Sequence, residues 1–322
     1  MRKVYITVKI PEIASEILRK KGFSVDVNDG DRRLNGRELR DVFAKYGAVI
    51  TTIGDKVDEE VIDAAGIELK IISNYAVGFD NINVLYAKRH GIVVTNTPGI
   101  AGESVAEHTF ALILACAKNL LEADKFVRRG KYHKWDPMAF VTPQIWGKTM
   151  GIIGLGRIGT YVGHIAYGGF RMNILYSDIV RSEDFEMLTE AKYCRVEQVL
   201  KESDIVTLHL PLTPVTQHLI GRKELGMMKS GAILINTARG PVVDEKALIW
   251  ALTNNKIAMA GLDVYEHEPS IPHELTTLGN VILTPHIASA TVETREAMAK
   301  IAAENIIAVF EGKTPEGLVV VS

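Results

Sequence analysis

Three side chains in the last third of the 322-residue chain are of types that move protons on an anionic substrate: Arg239, Glu268 and His286. A guanidinium can fix a carboxylate, and an imidazole can give and take a proton near neutral pH. A carboxylate on one ring nitrogen can orient that imidazole, favour its charged form and decide which nitrogen faces a substrate. Each residue also has an ordinary explanation. Arg239 beside Gly240 suits a solvated loop, His286 after Pro285 a core or capping histidine, and Glu266-His-Glu-Pro269 a surface acidic turn. What sets the three apart is position. Each falls at or just past the end of an apolar run that reads as a buried strand, and so do His209, Thr237, Ala238, Asp263 and Glu266. Open α/β sheets bind their ligands outside the carboxyl ends of the strands.

The partner of that chemistry is legible upstream. Met150 to Gly159 reads M-G-I-I-G-L-G-R-I-G, a G-x-G-x-x-G on Gly154, Gly156 and Gly159 between an apolar strand and a helical run. One glycine allows the tight turn, one lets the backbone approach a pyrophosphate, and one lets the helix pack closely on the strand. The next strand, Asn173 to Asp178, ends in an acid 178 − 159 = 19 residues after the last glycine. That is where a carboxylate would bond an adenosine ribose. Asp178 would repel a 2′-phosphate and so favours NAD over NADP, although Arg181 nearby is of a type that can accept that phosphate. Gly147-Lys-Thr149 and Gly312-Lys-Thr314 are not P-loops, because positions 142 and 307 are Thr and Ile.

Strand and helix patterns alternate on both sides of this motif. Upstream, apolar runs at 4–8, 25–27, 48–53, 69–73 and 92–95 are separated by helical stretches. Downstream, runs at 150–154, 173–178, 204–210, 232–236, 259–264 and 280–284 follow the same rule, and a last helix covers 291–312. The expected fold class is α/β, two doubly wound parallel-sheet modules. A helix from about Glu103 carries too many apolar residues for one stripe and should be buried on most sides. The segment 125–147 reads as irregular, with Trp135 and Trp146 marking a subunit contact, a pocket wall or a satellite cluster. A net charge of −2 recommends neither nucleic acid nor an anionic membrane as partner, and the longest apolar run, Phe110 to Ala117, is too short to span a bilayer. Two isolated cysteines, Cys116 and Cys194, suggest a reducing, cytoplasmic setting.

Over essentially its whole length the chain resembles the D-isomer-specific 2-hydroxyacid dehydrogenases. The matching stretches are N-Y-A-V-G-F-D-N-I-N (74–83), S-V-A-E (104–107), G-K-T-M-G-I-I-G-L-G-R-I-G (147–159), H-L-P-L-T-P-V-T (209–216), N-T-A-R-G (236–240), G-L-D-V-Y-E-H-E-P (261–269) and T-P-H-I-A (284–288). The resemblance implies that Arg239 binds the substrate carboxylate, His286 donates the proton in reduction and Glu268 orients it. It places a backbone carboxylate anchor on Val77 and Gly78. Arg157 and Ile158 would meet the pyrophosphate, with Leu210, Thr237, Ala238 and Asp263 around the nicotinamide. No metal is implied. It further implies a Rossmann cofactor domain (100–286) inserted into a flavodoxin-like substrate domain (1–99 plus 287–322), an active site in the cleft, and a homodimer.

Lys131-Tyr-His-Lys-Trp-Asp-Pro137 is similar to the glyoxylate/hydroxypyruvate reductase branch, where Trp135 would cap a neighbouring subunit's pocket. D-3-phosphoglycerate, D-lactate and 2-ketogluconate remain open as alternative substrates, as does a non-enzymatic, NAD-sensing corepressor-like role. Two departures from the pattern stand out: Arg171 replaces a usual glycine, and Gly163-His164 replaces an ordinary helical pair.

Overall fold

The computed structural model describes residues 2–28, 30 and 32–320. They form two compact units, one running to Ala101 and resuming at Ala290, the other spanning Gly102–Ser289.

The first unit alternates strand and helix: β1 (Lys3–Ile6), α1 (Ile13–Lys20), β2 (Ser24–Val27), α2 (Gly36–Lys45), β3 (Ala48–Thr51), α3 (Glu59–Asp63), β4 (Ile71–Asn74), α4 (Val84–Arg89) and β5 (Val93–Thr95). The five strands are parallel in the order β2-β1-β3-β4-β5, the flavodoxin-like arrangement. All residues of β3 and β4 are buried, as expected of central strands covered on both faces. Helix starts follow local chemistry. Asn35 and Glu38 form a reciprocal capping box on α2, and Asp58 and Asn83 cap α3 and α4.

The second unit opens on α5 (Gly102–Ala117) and α6 (Leu120–Arg128). Then come β6 (Thr149–Ile153), α7 (Arg157–Phe170), β7 (Asn173–Ser177), α8 (Glu183–Thr189), β8 (Lys192–Tyr193), α9 (Val196–Glu202) and β9 (Ile205–Leu208). The unit ends with α10 (Arg222–Leu225), β10 (Ile233–Asn236), α11 (Glu245–Thr253), β11 (Met259–Leu262), α12 (His273–Thr277) and β12 (Val281–Leu283). Its seven strands are parallel in the order β12-β11-β10-β9-β6-β7-β8. The order reverses between β6 and β9, so the crevice of this Rossmann sheet opens beside the glycine-rich turn. The fold is therefore α/β, with a Rossmann unit inserted into a flavodoxin-like one.

The chain then returns to the first unit as α13 (Val292–Phe310), which Thr291 caps. Its buried face, Met298, Ala299, Ala302, Ala303 and Ile306, joins the core of β1, β3 and α1. The Ser73 hydroxyl of β4 donates to the Ala302 carbonyl at 3.0 Å.

Helix α5 buries ten of its residues, and within its unit it packs on α7, β10 and β11. The segment from Lys125 is not irregular throughout, since α6 continues to Arg128. Helix α8 and strand β8 lack the apolar periodicity that would announce them.

Candidate active site

The glycine-rich turn has the form a dinucleotide needs. Gly154 has φ +95°, and a Cβ there would lie 2.5 Å from the His209 carbonyl oxygen and 3.0 Å from the Leu210 side chain. A side chain on Gly159 would run into the Gly154 carbonyl, so the third glycine sets how closely α7 sits on β6. Gly156 has open space around it and caps α7 without a side-chain bond. Arg157 and Ile158 are the first residues of α7, and its first turn carries no acid. Exposed N–H groups, a positive helix end and an empty approach fit a pyrophosphate. Asp178 stands just past β7, its carboxylate accepting from the backbone N–H of Leu155 (2.5 Å) and Val180 (3.2 Å). The Asp178 carboxylate is thus fixed beside the glycine-rich turn.

Farther along the sheet edge, the turn after β10 is self-bonded. Asn236 accepts from the Ala238 N–H (3.0 Å) and donates to the Arg239 carbonyl (2.9 Å). The Arg239 guanidinium donates to the Ala238 carbonyl at 2.7 Å. Thr237 is buried, its hydroxyl 3.0 Å from that of Thr109 on α5. At Gly240 a Cβ would collide with the backbone of Tyr265 and Glu266. The Arg239 turn therefore lies directly against the segment that carries Glu268.

Glu268 accepts from the Tyr265 N–H at 3.0 Å through one oxygen and pairs with His286 Nδ1 at 2.7 Å through the other. Both side chains remain a little over a quarter exposed. Pairing through Nδ1 makes Nε2 the nitrogen available for proton exchange. His286 has φ +55°, a left-handed conformation uncommon outside glycine, so surrounding bonds must enforce it. They come from Asp263, which is fully buried. Its carbonyl accepts from the His286 N–H (2.8 Å), and its carboxylate from the N–H groups of Ile287 (2.9 Å) and Ala288 (2.8 Å). The Thr284 hydroxyl donates to it at 2.6 Å, and His108 Nε2 lies 3.0 Å from Thr284 Oγ1. Burial pushes the Asp263 carboxyl up, and the bonds from His108, Thr284, Ile287 and Ala288 outweigh it, leaving the group below the usual carboxylate range.

Residues 110–288 match the family model for the NAD binding domain of D-isomer specific 2-hydroxyacid dehydrogenases. The chain belongs to this family. It is 46% identical over 321 residues to the glyoxylate reductase of Pyrococcus furiosus, a match covering 98% of this chain and 95% of that one. The D-lactate dehydrogenase of Aquifex aeolicus, solved with NAD and lactic acid, superposes with TM-score 0.84 at 31% identity, covering 96% of each chain. An NADPH-dependent glyoxylate/hydroxypyruvate reductase of Sinorhizobium meliloti, solved with NADP and malonate, gives TM-score 0.85 at 30% identity, over 99% of this chain and 97% of that one. This 2-hydroxyacid dehydrogenase is therefore an oxidoreductase with an NAD-binding domain and a small hydroxy or keto acid as substrate.

The remaining candidates are placed elsewhere. Val77 and Gly78 lie in the other unit, past β4, their carbonyls accepting from Asn96 (2.7 Å) and Asn74 (2.9 Å). Trp135 is 76% exposed, in the stretch between α6 and β6, and is not among the residues gathered at the strand ends. His108, Thr284 and Tyr265 were not singled out from sequence. His108 is joined to Thr284 across 176 residues, which no local pattern announces. His209 is unusual in another way: both ring nitrogens are buried without a partner among the described residues, and burial pushes the imidazole down to about 3.

Both family departures have local explanations. Arg171 ends α7 in the left-handed conformation (φ +48°) that glycine ordinarily supplies, and Gly163 leaves room for the Phe185 ring. Among the described residues there is no cluster of three candidate metal ligands, and no helix is long and apolar enough to cross a membrane.

Proposed function

We propose that this enzyme reduces glyoxylate or hydroxypyruvate with NADH and in reverse oxidises the corresponding 2-hydroxy acid, the D isomer where C2 is a stereocentre. The observation that carries this reading is the Glu268–His286 pair at the edge of a dinucleotide-binding sheet, with the Arg239 turn against the same segment. Names borne by similar enzymes favour a small 2-keto acid.

The unit with the seven-stranded sheet is assigned dinucleotide binding, and the five-stranded unit substrate binding. Gly154, Gly156, Gly159, Arg157 and Ile158 would hold the pyrophosphate, Asp178 the ribose, and Leu210, Thr237, Ala238 and Asp263 the nicotinamide end. When bound, the nicotinamide supplies or accepts the hydride. Arg239 would hold the substrate carboxylate and polarise the keto oxygen, and the backbone of Val77 and Gly78 is assigned to substrate binding in the five-stranded unit. His286 Nε2 delivers a proton to that oxygen as the alcohol forms, and Glu268 keeps the ring in the orientation that allows it. NAD is favoured over NADP because the Asp178 carboxylate would repel a 2′-phosphate.

Trp135 is assigned to the pocket of a second copy. Its exposure, and that of Leu120, Val127, Met138 and Val141 in the same stretch of sequence, suits a surface that a homodimer would cover. A reducing, cytoplasmic setting agrees with two free thiols, the buried Cys116 and the partly buried Cys194.

NADH oxidation with glyoxylate, hydroxypyruvate, pyruvate and phosphohydroxypyruvate tests the substrate. Glyoxylate or hydroxypyruvate should lead by about tenfold or more in kcat/KM. A lead for either other acid, or no turnover with any, overturns it.

A further inference from the structure

The loop between β7 and α8 carries two opposite charges with different commitments. Asp178 is held against the glycine-rich turn by the Leu155 and Val180 N–H groups. Arg181, three residues on, is drawn to α8 instead, where its Nε and Nη2 both donate to Glu186, at 2.8 and 2.6 Å. Two parallel charge-assisted bonds make a geometrically specific clasp. Glu186 is itself fixed, since the hydroxyl of the buried Tyr176 on β7 donates to it at 2.7 Å and accepts from the Ser182 N–H at 2.9 Å. The Glu186 side chain is only 16% exposed while that of Arg181 is 58% exposed, so the clasp is anchored from the Glu186 side. The Arg181 and Tyr176 bonds hold its carboxyl down at about 2, so the clasp is charged throughout the physiological range.

We propose that Glu186, fixed by Tyr176, withholds Arg181 from the adenosine 2′ position and so helps Asp178 set the preference for NAD over NADP. A 2′-phosphate entering beside Asp178 meets an anion, while the one cation on that loop is already engaged. Arginine near this position is the group that accommodates such a phosphate, so breaking the clasp releases it for that use. Glu186 is a positioning residue here. The inference rests on the assignment of Asp178 to the ribose.

Dissociation constants for NADH and NADPH, measured by nucleotide fluorescence or calorimetry, test it without turnover. Glu186→Gln should tighten NADPH about three- to tenfold and leave NADH within about twofold. Arg181→Ala alone should change neither, and added to Glu186→Gln it should cancel the gain. The proposal is overturned if Glu186→Gln leaves the NADPH/NADH ratio unchanged or if the gain survives in the double variant. Weaker NADPH binding by Arg181→Ala in the otherwise unaltered protein overturns it too, and that arm decides alone should Glu186→Gln not fold. Wild-type protein that binds neither nucleotide would instead refute the cofactor reading.

Discussion

A single hydrogen bond, His286 Nδ1 to Glu268, separates a useful imidazole from a merely exposed one. General acid–base catalysis by a positioned side chain contributes about 10²- to 10⁴-fold, so His286→Ala should lose that much kcat while the NADH dissociation constant stays put. Stopped-flow rates beside fluorescence titration check both halves, and near-full kcat would remove His286 from the reaction. Behind it stands Asp263, whose carboxylate satisfies the part-buried N–H of Ile287 and the buried N–H of Ala288 and thereby supports the left-handed backbone at 286. Asp263→Asn places an amide where both oxygens now accept. Leaving a buried N–H unsatisfied should cost about 1–3 kcal/mol of stability. Thermal unfolding reads that loss, and a variant as stable as wild type would show that the 286–288 turn holds itself.

The three glycines of the β6–α7 turn are equivalent in sequence and unequal in structure. Gly154→Ala meets both a positive φ and the His209 carbonyl, so it should lower Tm as well as NADH affinity, by a stability loss of about 1–3 kcal/mol. Gly156→Ala has open space and an ordinary φ, so its Tm should hold while NADH binding weakens, because the new methyl would occupy the space proposed for the pyrophosphate. Equal Tm losses in both would contradict the division of roles. This element was legible beforehand because an apolar strand, spaced glycines and a helical run all encode local geometry. From the residue pattern the acid and the histidine were legible as groups at strand ends, the resemblance supplied their pairing, and their contact depends on the ends of the neighbouring strands β11 and β12. The Arg181–Glu186 clasp was not legible at all. Five residues apart across a turn and a helix start, the two follow neither the strand period nor the helix i,i+4 rule. Strand β8 was missed for a simpler reason, since Lys192 and Tyr193 are an exposed edge with no buried run.

Over the molecule as a whole, His209 should contribute to acid sensitivity near neutrality. His209 is neutral when folded, its imidazole pushed down to about 3 by burial, whereas an unfolded histidine takes up a proton near pH 6.5. A depressed group of this kind leaves stability intact above the unfolded value and erodes it below, because the unfolded chain then binds the extra proton. The erosion amounts to about 1.4 kcal/mol per pH unit, or roughly 2 kcal/mol between pH 6.5 and 5. The depressed carboxyl of Asp263 acts in the same direction, but only below the ordinary carboxylate range, outside this window. For a unit the size of Gly102–Ser289, a loss of that order lowers Tm by roughly 4–8 °C. His209→Gln removes the titrating group and keeps a polar side chain of similar reach, so its Tm should fall less over the same interval at matched ionic strength. The difference between the two slopes isolates position 209 from every other titration in the chain. Parallel slopes would mean that the ring finds a partner or a proton in the folded protein, and that its burial does not govern stability in mild acid.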